Sequence, residues 1–182
     1  MGLFSFLLGH NHILGELPLF SRLIHISRFI LITSILAVLL LNSCATSTAK
    51  KDQAHQALQG FFEHLAQGDY QEAAAQYAGS YETLVSFNPD LDQDDYVTLW
   101  QHGCQNNGLQ CLTIRRATFN GMADSGEYIF TVEFNAHDGS LFVLGACCGE
   151  EPVTPSQSQF EYRVVEGEDG QYRVLDLPVY VP

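Results

Sequence analysis

Apolar residues recur at helical spacing between residues 54 and 66, and this pattern predicts the first helix of a folded domain. The apolar positions are Ala54, Ala57, Leu58, Phe61, Phe62, Leu65 and Ala66. They form one broad face, which a packed core would cover. Asp52 can cap the start of this helix, and Gly68 can end it.

Two further helices are predicted before Cys104. The second begins at Asp69, with Glu72 three residues later as a capping-box partner, and it ends at Gly79. The third extends from about residue 92 to residue 102, and Gly103 ends it. The sequence therefore places a group of helices before the first strand.

After Cys111 the apolar and polar residues alternate, which is typical of half-buried strands. One face of the clearest strand carries Tyr128, Phe130, Val132 and Phe134. We predict strands near residues 112–119, 127–136, 140–147, 158–166 and 171–177. Turn signals lie at Asn120-Gly121, Asp138-Gly139 and Asp169-Gly170. Because short connections make neighbouring strands antiparallel, the chain is predicted to form an α+β domain whose helices cover one face of a sheet of about five strands.

A different apolar segment precedes the domain. Residues 29–41 are apolar except for Thr33 and Ser34, and they follow Arg22 and Arg28. At about 1.5 Å per residue this run would reach about 20 Å, which is short of the ~30 Å hydrocarbon core of a bilayer. A run of this length behind positive charge is typical of a secretory signal peptide, and a plain transmembrane anchor is the alternative. Both interpretations place the following domain outside the cytoplasm.

The run ends in Leu41-Asn42-Ser43-Cys44, which resembles the end of a bacterial lipoprotein signal peptide. In that family a leucine stands three residues before the cysteine, and a small residue stands directly before it. The resemblance implies cleavage before Cys44 and lipidation of its thiol, and two or more acyl chains give lasting membrane anchorage. Residues 1–43 are then the signal peptide, residues 44–51 the lipidated cysteine and a tether, and residues 52–182 the domain.

Two segments of that domain resemble the nuclear transport factor 2-like superfamily, which includes ketosteroid isomerase. They are the helix pair ALQGFFEHLAQGDYQEAA and the closing segment GQYRVLDLPVYVP. The resemblance implies N-terminal helices packed on a curved, cone-like sheet with a pocket for a small hydrophobic ligand or a protein partner. Enzymes of the superfamily hold a carboxylate inside the cone. Glu133 and Tyr162 are the residues considered for such a pocket, but no family pattern matches them, and no catalytic residue is assigned.

The charge balance excludes one class of partner. The chain has 8 Lys and Arg residues against 21 Asp and Glu residues, which gives a net charge of −13. Six basic and twenty acidic residues follow Cys44, so the exported part carries −14. Because a phosphate backbone is bound through clustered cations, we predict no nucleic-acid binding.

Four cysteines remain after Cys44, and an even number in an exported domain suggests disulfides. Cys147 and Cys148 are adjacent, so a bridge between them would strain the peptide that joins them. We favour two bridges that join Cys104 and Cys111 to Cys147 and Cys148 in an order that the sequence leaves open. A bridge between Cys104 and Cys111, free thiols and a zinc site are the alternatives, and the cysteine spacing fits zinc poorly.

No metal or cofactor is expected. Asp90, Asp92, Asp94 and Asp95 form an acidic cluster, but aligned as a calcium loop it lacks the required glycine and the final glutamate. We interpret these acids as the first turn of the third helix, where the helix dipole favours negative charge. The four histidines, His55, His64, His102 and His137, are expected at the surface or at the core boundary.

The leading functional hypothesis is a membrane-anchored, extracytoplasmic lipoprotein that acts as a non-catalytic binding or assembly module. The membrane is its expected partner through the lipid, together with a small hydrophobic ligand or a protein. One alternative is an isomerase or dehydratase that uses the cone pocket, which requires a buried carboxylate of raised pKa. Another is a metal-handling protein that uses the cysteines or the acidic cluster.

Overall fold

Helices precede an antiparallel sheet in the computed structural model, which describes residues 48–145 and 156–181. The helices are α1 over residues 48–67, α2 (Tyr70–Ala75), α3 (Glu82–Phe87) and α4 (Tyr96–Gln105). The strands are β1 (Ile114–Met122), β2 (Tyr128–Phe134), β3 (Phe160–Glu166) and β4 (Tyr172–Val174). All of these elements belong to one unit of the chain, Ser47–Pro182. The predicted α+β class is confirmed.

The four strands form one open sheet in the order β1-β2-β3-β4, and every neighbouring pair is antiparallel. The strand predicted at residues 140–147 is not a strand over its described part, residues 140–145. Leu141 pairs only with Asn135, and Leu144 pairs only with Gln157. These two isolated bridges go to different segments, so no continuous ladder forms. The described sheet therefore has four strands, where about five were predicted.

The alternation in β2 correctly identified the buried face of the sheet. Its aromatic residues and Val132 are almost fully buried, and the intervening side chains are half-buried on the opposite face. Phe160, Tyr162 and Val164 of β3 continue the buried face. On this face the ring of Phe62 from α1 packs against both β2 and β3, with its centroid 4.8 Å from that of Phe134 and 4.9 Å from that of Tyr162. The helices thus cover one face of the sheet, as predicted.

The first helix begins earlier than its pattern suggested. Residues 48–51, which were assigned to the tether, are helical, so Asp52 lies inside α1 and does not cap it. Lys50 Nζ donates a 2.9 Å hydrogen bond to Glu166 at the end of β3. This ion pair joins the first described turn of α1 to the sheet. The predicted end of the helix is confirmed, because Gly68 follows it with φ of 80°.

The second helix ends at Ala75, four residues before the predicted stop at Gly79. After Ala75 the chain pairs with β4. The Val174 amide donates to the Gln76 carbonyl, and the Ala78 amide donates to the Val174 carbonyl, both at 2.9 Å. Asp69 is the N-cap residue of α2, but its side chain makes no capping hydrogen bond, so the predicted capping box does not form.

The third predicted helix is α4, and both of its predicted ends were wrong. It begins after Asp95, whose carboxylate accepts hydrogen bonds from the Thr98 amide at 3.1 Å and the Thr98 hydroxyl at 2.7 Å. Gly103 lies inside it. A Cβ at this glycine would lie 2.8 Å from a methyl group of Leu84 and 2.9 Å from one of Leu109. The glycine allows close packing with α3, a helix that the sequence did not predict.

One of the three predicted turns is placed elsewhere. Gly121 lies within β1 at an irregularity in the register, with φ of 139°, and it does not turn the chain. The turn to β2 follows at residues 123–127, where the Gly126 amide donates to the Ala123 carbonyl at 3.0 Å. A glycine of positive φ suits a β-bulge as well as a hairpin turn, so the Asn-Gly pair did not distinguish them.

The turn between β3 and β4 contains an ion pair that makes the stability of the fold depend on pH. Asp169 accepts hydrogen bonds from both terminal nitrogens of Arg173, at 3.0 and 2.6 Å. These bonds lower the pKa of Asp169 from 3.8 to about 2. The folded state therefore binds this proton less tightly than the unfolded chain does. The contribution is complete above pH 3.8 and is lost as the pH falls towards 2.

We expect Asp169→Asn to make the loss of stability over this acidic range shallower than in the unmodified protein. Urea unfolding at a series of pH values would measure it. Glu168→Gln is the matched control, since Glu168 is an exposed neighbour for which the described residues supply no ion pair. Equal slopes for Asp169→Asn and the unmodified protein would contradict the prediction.

Candidate functional site

A disulfide between Cys104 and Cys111 closes a loop at one end of the domain. Cys104 lies in the last turn of α4, Cys111 lies shortly before β1, and their Cα atoms are 5.6 Å apart. The pairing that the sequence favoured, with Cys147 and Cys148 as the partners of these two cysteines, was therefore wrong. The alternative pairing, 104 with 111, is the one found. Cys147, Cys148 and Cys44 lie outside the described residues.

The disulfide loop, residues 105–110, is also held by the C-terminal segment. The Gln110 amide donates to the Val179 carbonyl at 2.7 Å, and the Val181 amide donates to the Gly108 carbonyl at 2.9 Å. Gly108 has φ of 81°, and a Cβ there would lie 2.1 Å from the Val181 carbonyl oxygen. The loop is therefore fixed at both ends and in the middle, and its backbone has a defined shape.

Two clefts lie beside the disulfide loop. The first, called here the loop cleft, has a volume of about 460 Å³. Its lining includes Tyr70, Cys104, Cys111, Asn106, Gln110 and His137. Gln105 donates a hydrogen bond of 3.3 Å to the Tyr70 hydroxyl across the loop cleft, which joins α4 to α2.

The second cleft, called here the aromatic cleft, has a volume of about 340 Å³. It is lined by Phe87, Asn106, Asn107, Gly108, Tyr180 and Val181. The rings of Phe87 and Tyr180 are 38% and 45% exposed, and their centroids lie 5.4 Å apart. Most aromatic side chains of the domain pack in its core, so an exposed ring pair beside two asparagine amides marks a surface suited to binding.

A third cleft lies elsewhere, between the first turns of α1, the end of α2 and the β3–β4 turn. Its volume is about 540 Å³. Its lining includes Gln53, Gln56, Gln76 and Gln171, together with Arg173, which donates to the Ala75 carbonyl at 3.2 Å. Arg173 is also paired with Asp169, so its positive charge is balanced. The groups that this cleft presents to a ligand are therefore mainly glutamine amides.

Every basic residue after Cys44 is already engaged. Five of the six form ion pairs: Lys50 with Glu166, Lys51 with Asp52, Arg116 with Glu133, Arg163 with Asp176 and Arg173 with Asp169. The sixth, Arg115, donates to the Gly139 carbonyl at 3.3 Å. No basic or acidic side chain is among the described residues that line the aromatic cleft. In a domain this acidic, that cleft is an uncharged surface.

The two residues considered for a pocket lie on opposite faces of the sheet. Glu133 lies on the face away from the helices, where it accepts from Gln159 at 3.0 Å and from Arg116 at 2.7 Å. The Gln159 hydrogen bond and then Arg116 hold the pKa of Glu133 below its ordinary value. Tyr162 lies in the core, and burial raises the pKa of its phenol. Apart from tyrosines, Asn88 is the single buried polar or charged residue within residues 48–145 and 156–181, so this part of the core holds no carboxylate.

The four aspartates of the acidic cluster precede α4 and do not form its first turn, so that interpretation was wrong, although Asp95 is the N-cap residue. Asp95 caps α4, and Asp92 accepts a hydrogen bond from the Asp94 amide at 3.0 Å. Among the described residues no three His, Cys, Asp or Glu side chains are grouped so that they could hold a metal ion. His137 is exposed, and His55 and His64 are half-buried on α1, where the His55 ring stacks on Phe130 at 5.8 Å.

Sequence reasoning missed the aromatic cleft. Phe87 belongs to the unpredicted helix α3, and Tyr180 lies in a segment that was noted only for a resemblance. The polar run between Cys104 and Cys111, which includes Asn106, Asn107 and Gly108, made a 104–111 bridge one of the alternatives, but it did not indicate a cleft. Amides beside a glycine are typical of a turn, but the aromatic partners are distant in sequence.

In the part of the chain that the structure describes, no helix is both long enough and apolar enough to span a bilayer. No protein-family model, no curated protein and no solved structure matches this chain.

Proposed function

We propose that this chain is a bacterial lipoprotein, anchored through lipid on Cys44, whose domain is a non-catalytic binding module outside the cytoplasm. The observation that carries the anchorage is the motif Leu41-Asn42-Ser43-Cys44 at the end of a short apolar run. The Cys104–Cys111 disulfide supports export, because disulfides persist in oxidising compartments and are rare in the cytosol.

A binding role is favoured over catalysis by the packing of the core. The aromatic face of the sheet is filled by α1, with Phe62 lying against Phe134 and Tyr162. A superfamily isomerase needs a carboxylate inside its cone, but the described ionisable groups buried on this face are tyrosine phenols, and burial raises the pKa of Tyr162 and Tyr172. The clefts beside the disulfide loop are open, and apart from His137 in the loop cleft their described lining residues carry no ionisable side chain other than tyrosine and the disulfide-bonded cysteines, which suits recognition of an uncharged ligand.

The nuclear transport factor 2-like cone remains a proposal for the finer shape of the domain. Support comes from the helices that cover one face of the antiparallel sheet and from the isolated bridge between Asn135 and Leu141, which lies just after the end of β2. An experimental structure tests it: a paired strand over residues 140–147 would support the cone, because the predicted sheet has about five strands and four are described, and an unpaired segment there would count against it.

Anchorage is tested by Cys44→Ala in the full chain, expressed in a bacterial host that is fed an alkyne-labelled fatty acid. Lipidation requires the thiol of residue 44, so we expect the label to be lost completely. The unlabelled protein should either be released or stall with residues 1–43 still attached. Gel fluorescence would measure the label, and the intact mass would show whether residues 1–43 remain.

Ser43→Ala is the matched control, because it keeps a small residue directly before the cysteine and should keep the label. If Cys44→Ala retains the lipid label at the level of Ser43→Ala, the proposed anchor is wrong. If the unmodified chain carries no label and yet stays in the membrane, the plain transmembrane alternative replaces it.

A further inference from the structure

The aromatic cleft combines features that select for one kind of ligand. Its exposed rings, Phe87 and Tyr180, offer flat apolar surface, and the exposed amide of Asn106 offers a donor and an acceptor beside them. Asn107 is half-buried next to it, and its side-chain oxygen is buried without a hydrogen bond within the described residues. A ligand for this cleft would therefore carry an apolar face together with hydrogen-bonding groups at its edge.

The uncharged lining of the aromatic cleft disfavours charged ligands. An anion would find no cation there, because the described lining is uncharged and the basic residues after Cys44 are engaged in ion pairs or, for Arg115, in a backbone hydrogen bond. A metal cation would find no carboxylate side chain among the described lining residues. A purely apolar ligand would leave the asparagine amides unpaired on contact, which costs free energy.

We propose that the aromatic cleft binds a neutral saccharide. A sugar ring has a face of C–H groups that packs on an aromatic ring, and its hydroxyls lie around the edge, where amides can pair with them. The cleft volume of about 340 Å³ lies in the range of small-molecule sites. This inference rests on the proposed binding function and names the ligand class of that module.

The shape of the cleft is preset, which favours binding. Gly108 and Val181 are joined by a 2.9 Å backbone hydrogen bond, and Leu109 pairs with Tyr180 across an isolated bridge. The disulfide fixes the other side of the loop. Because the asparagines and Tyr180 are held on a fixed backbone, little conformational entropy is lost when the ligand binds.

The test uses the full chain in detergent micelles, titrated calorimetrically with two neutral probes, maltotriose and tri-N-acetylchitotriose. We expect at least one of them to bind. Tyr180→Ala should weaken that binding about tenfold, which corresponds to roughly 1.4 kcal/mol for a lost stacking surface. Tyr180→Phe keeps the ring and should bind nearly as well as the unmodified protein.

Tyr96→Ala is the matched control, because Tyr96 is another exposed tyrosine (43%) that stacks on Tyr81 away from the aromatic cleft. Its affinity should be unchanged. Thermal unfolding of every variant would check folding, and the exposed side chain of Tyr180 makes a folded Tyr180→Ala protein the expected result.

Several outcomes would overturn the inference. They are the absence of binding by both saccharides at high millimolar concentration, equal weakening by Tyr180→Ala and Tyr96→Ala, and displacement of the bound saccharide by inorganic phosphate. Lipid labelling at Cys44 is measured separately. A labelled protein that binds neither saccharide would therefore refute only the proposed ligand class. The proposed lipid anchor at Cys44 would not be contradicted.

Discussion

Phe62→Ala is expected to lower the free energy of unfolding by about 3–5 kcal/mol, the usual cost of deleting a buried phenylalanine ring. Phe62 is fully buried and contacts the rings of Phe61, Phe134 and Tyr162, with centroids 4.8 to 5.1 Å away. These partners come from α1 and from two strands that are far apart in the sequence, so the cavity would lie between the helix and the sheet. Urea unfolding followed by circular dichroism would measure the loss.

Phe119→Ala is the matched control for Phe62→Ala. Phe119 lies on the edge strand β1, is 37% exposed, and has ring contacts with Tyr128 and Phe130. Because it is only partly buried, its removal should cost clearly less. If the two variants lost equal stability, the position of Phe62 at the centre of the core would be wrong.

The double variant Cys104→Ser/Cys111→Ser is expected to lose about 2.5 kcal/mol of stability, since the bridge closes a short loop and restricts the unfolded chain. The fold should survive, because Leu109 remains buried and the C-terminal segment keeps its hydrogen bonds to the loop. Unfolding of the unmodified protein with and without a dithiol reductant should reproduce the same difference.

Peptide mapping of the unreduced protein checks the pairing independently. A disulfide-linked peptide that contains Cys104 and Cys111 is expected, and Cys147→Ser/Cys148→Ser is the matched control that should retain it. Linkage of Cys104 or Cys111 to residues 147 or 148 would instead restore the pairing that the sequence favoured. In that case the aromatic cleft would lose one of the supports of its loop.

Much of the core was predictable because the pattern that specifies it is local. The apolar face of α1 and the alternation of β2 repeat at 3.6 and 2 residues, and each period shows which side chains point to the core. Phe61 and Phe62, together with Phe130 and Phe134, are accordingly among the largest fully buried side chains. The same local patterns predicted that helices cover one face of an antiparallel sheet.

Two glycines show that a local sequence pattern does not by itself identify a helix end or a turn. Gly103 has the position of a helix stop, yet it lies inside α4, where the absence of a Cβ lets Leu84 and Leu109 approach closely. Gly121 follows an asparagine as in a hairpin turn, yet it lies at an irregularity within β1. A glycine permits a turn, a bulge and a close approach alike, and only the neighbouring elements decide among them.

By itself, the sequence determined the class of the domain, the two faces of its sheet, the excess of acidic charge and the motif at Cys44 that predicts anchorage. These features are repeated or contiguous along the chain, so no distant residue is needed to recognise them. Only the tertiary structure decided which described cysteines pair and that Phe87, Asn107 and Tyr180 line one cleft. Those relations join residues that are separate in sequence, and the packing of α3, α4 and the C-terminal segment brings them together.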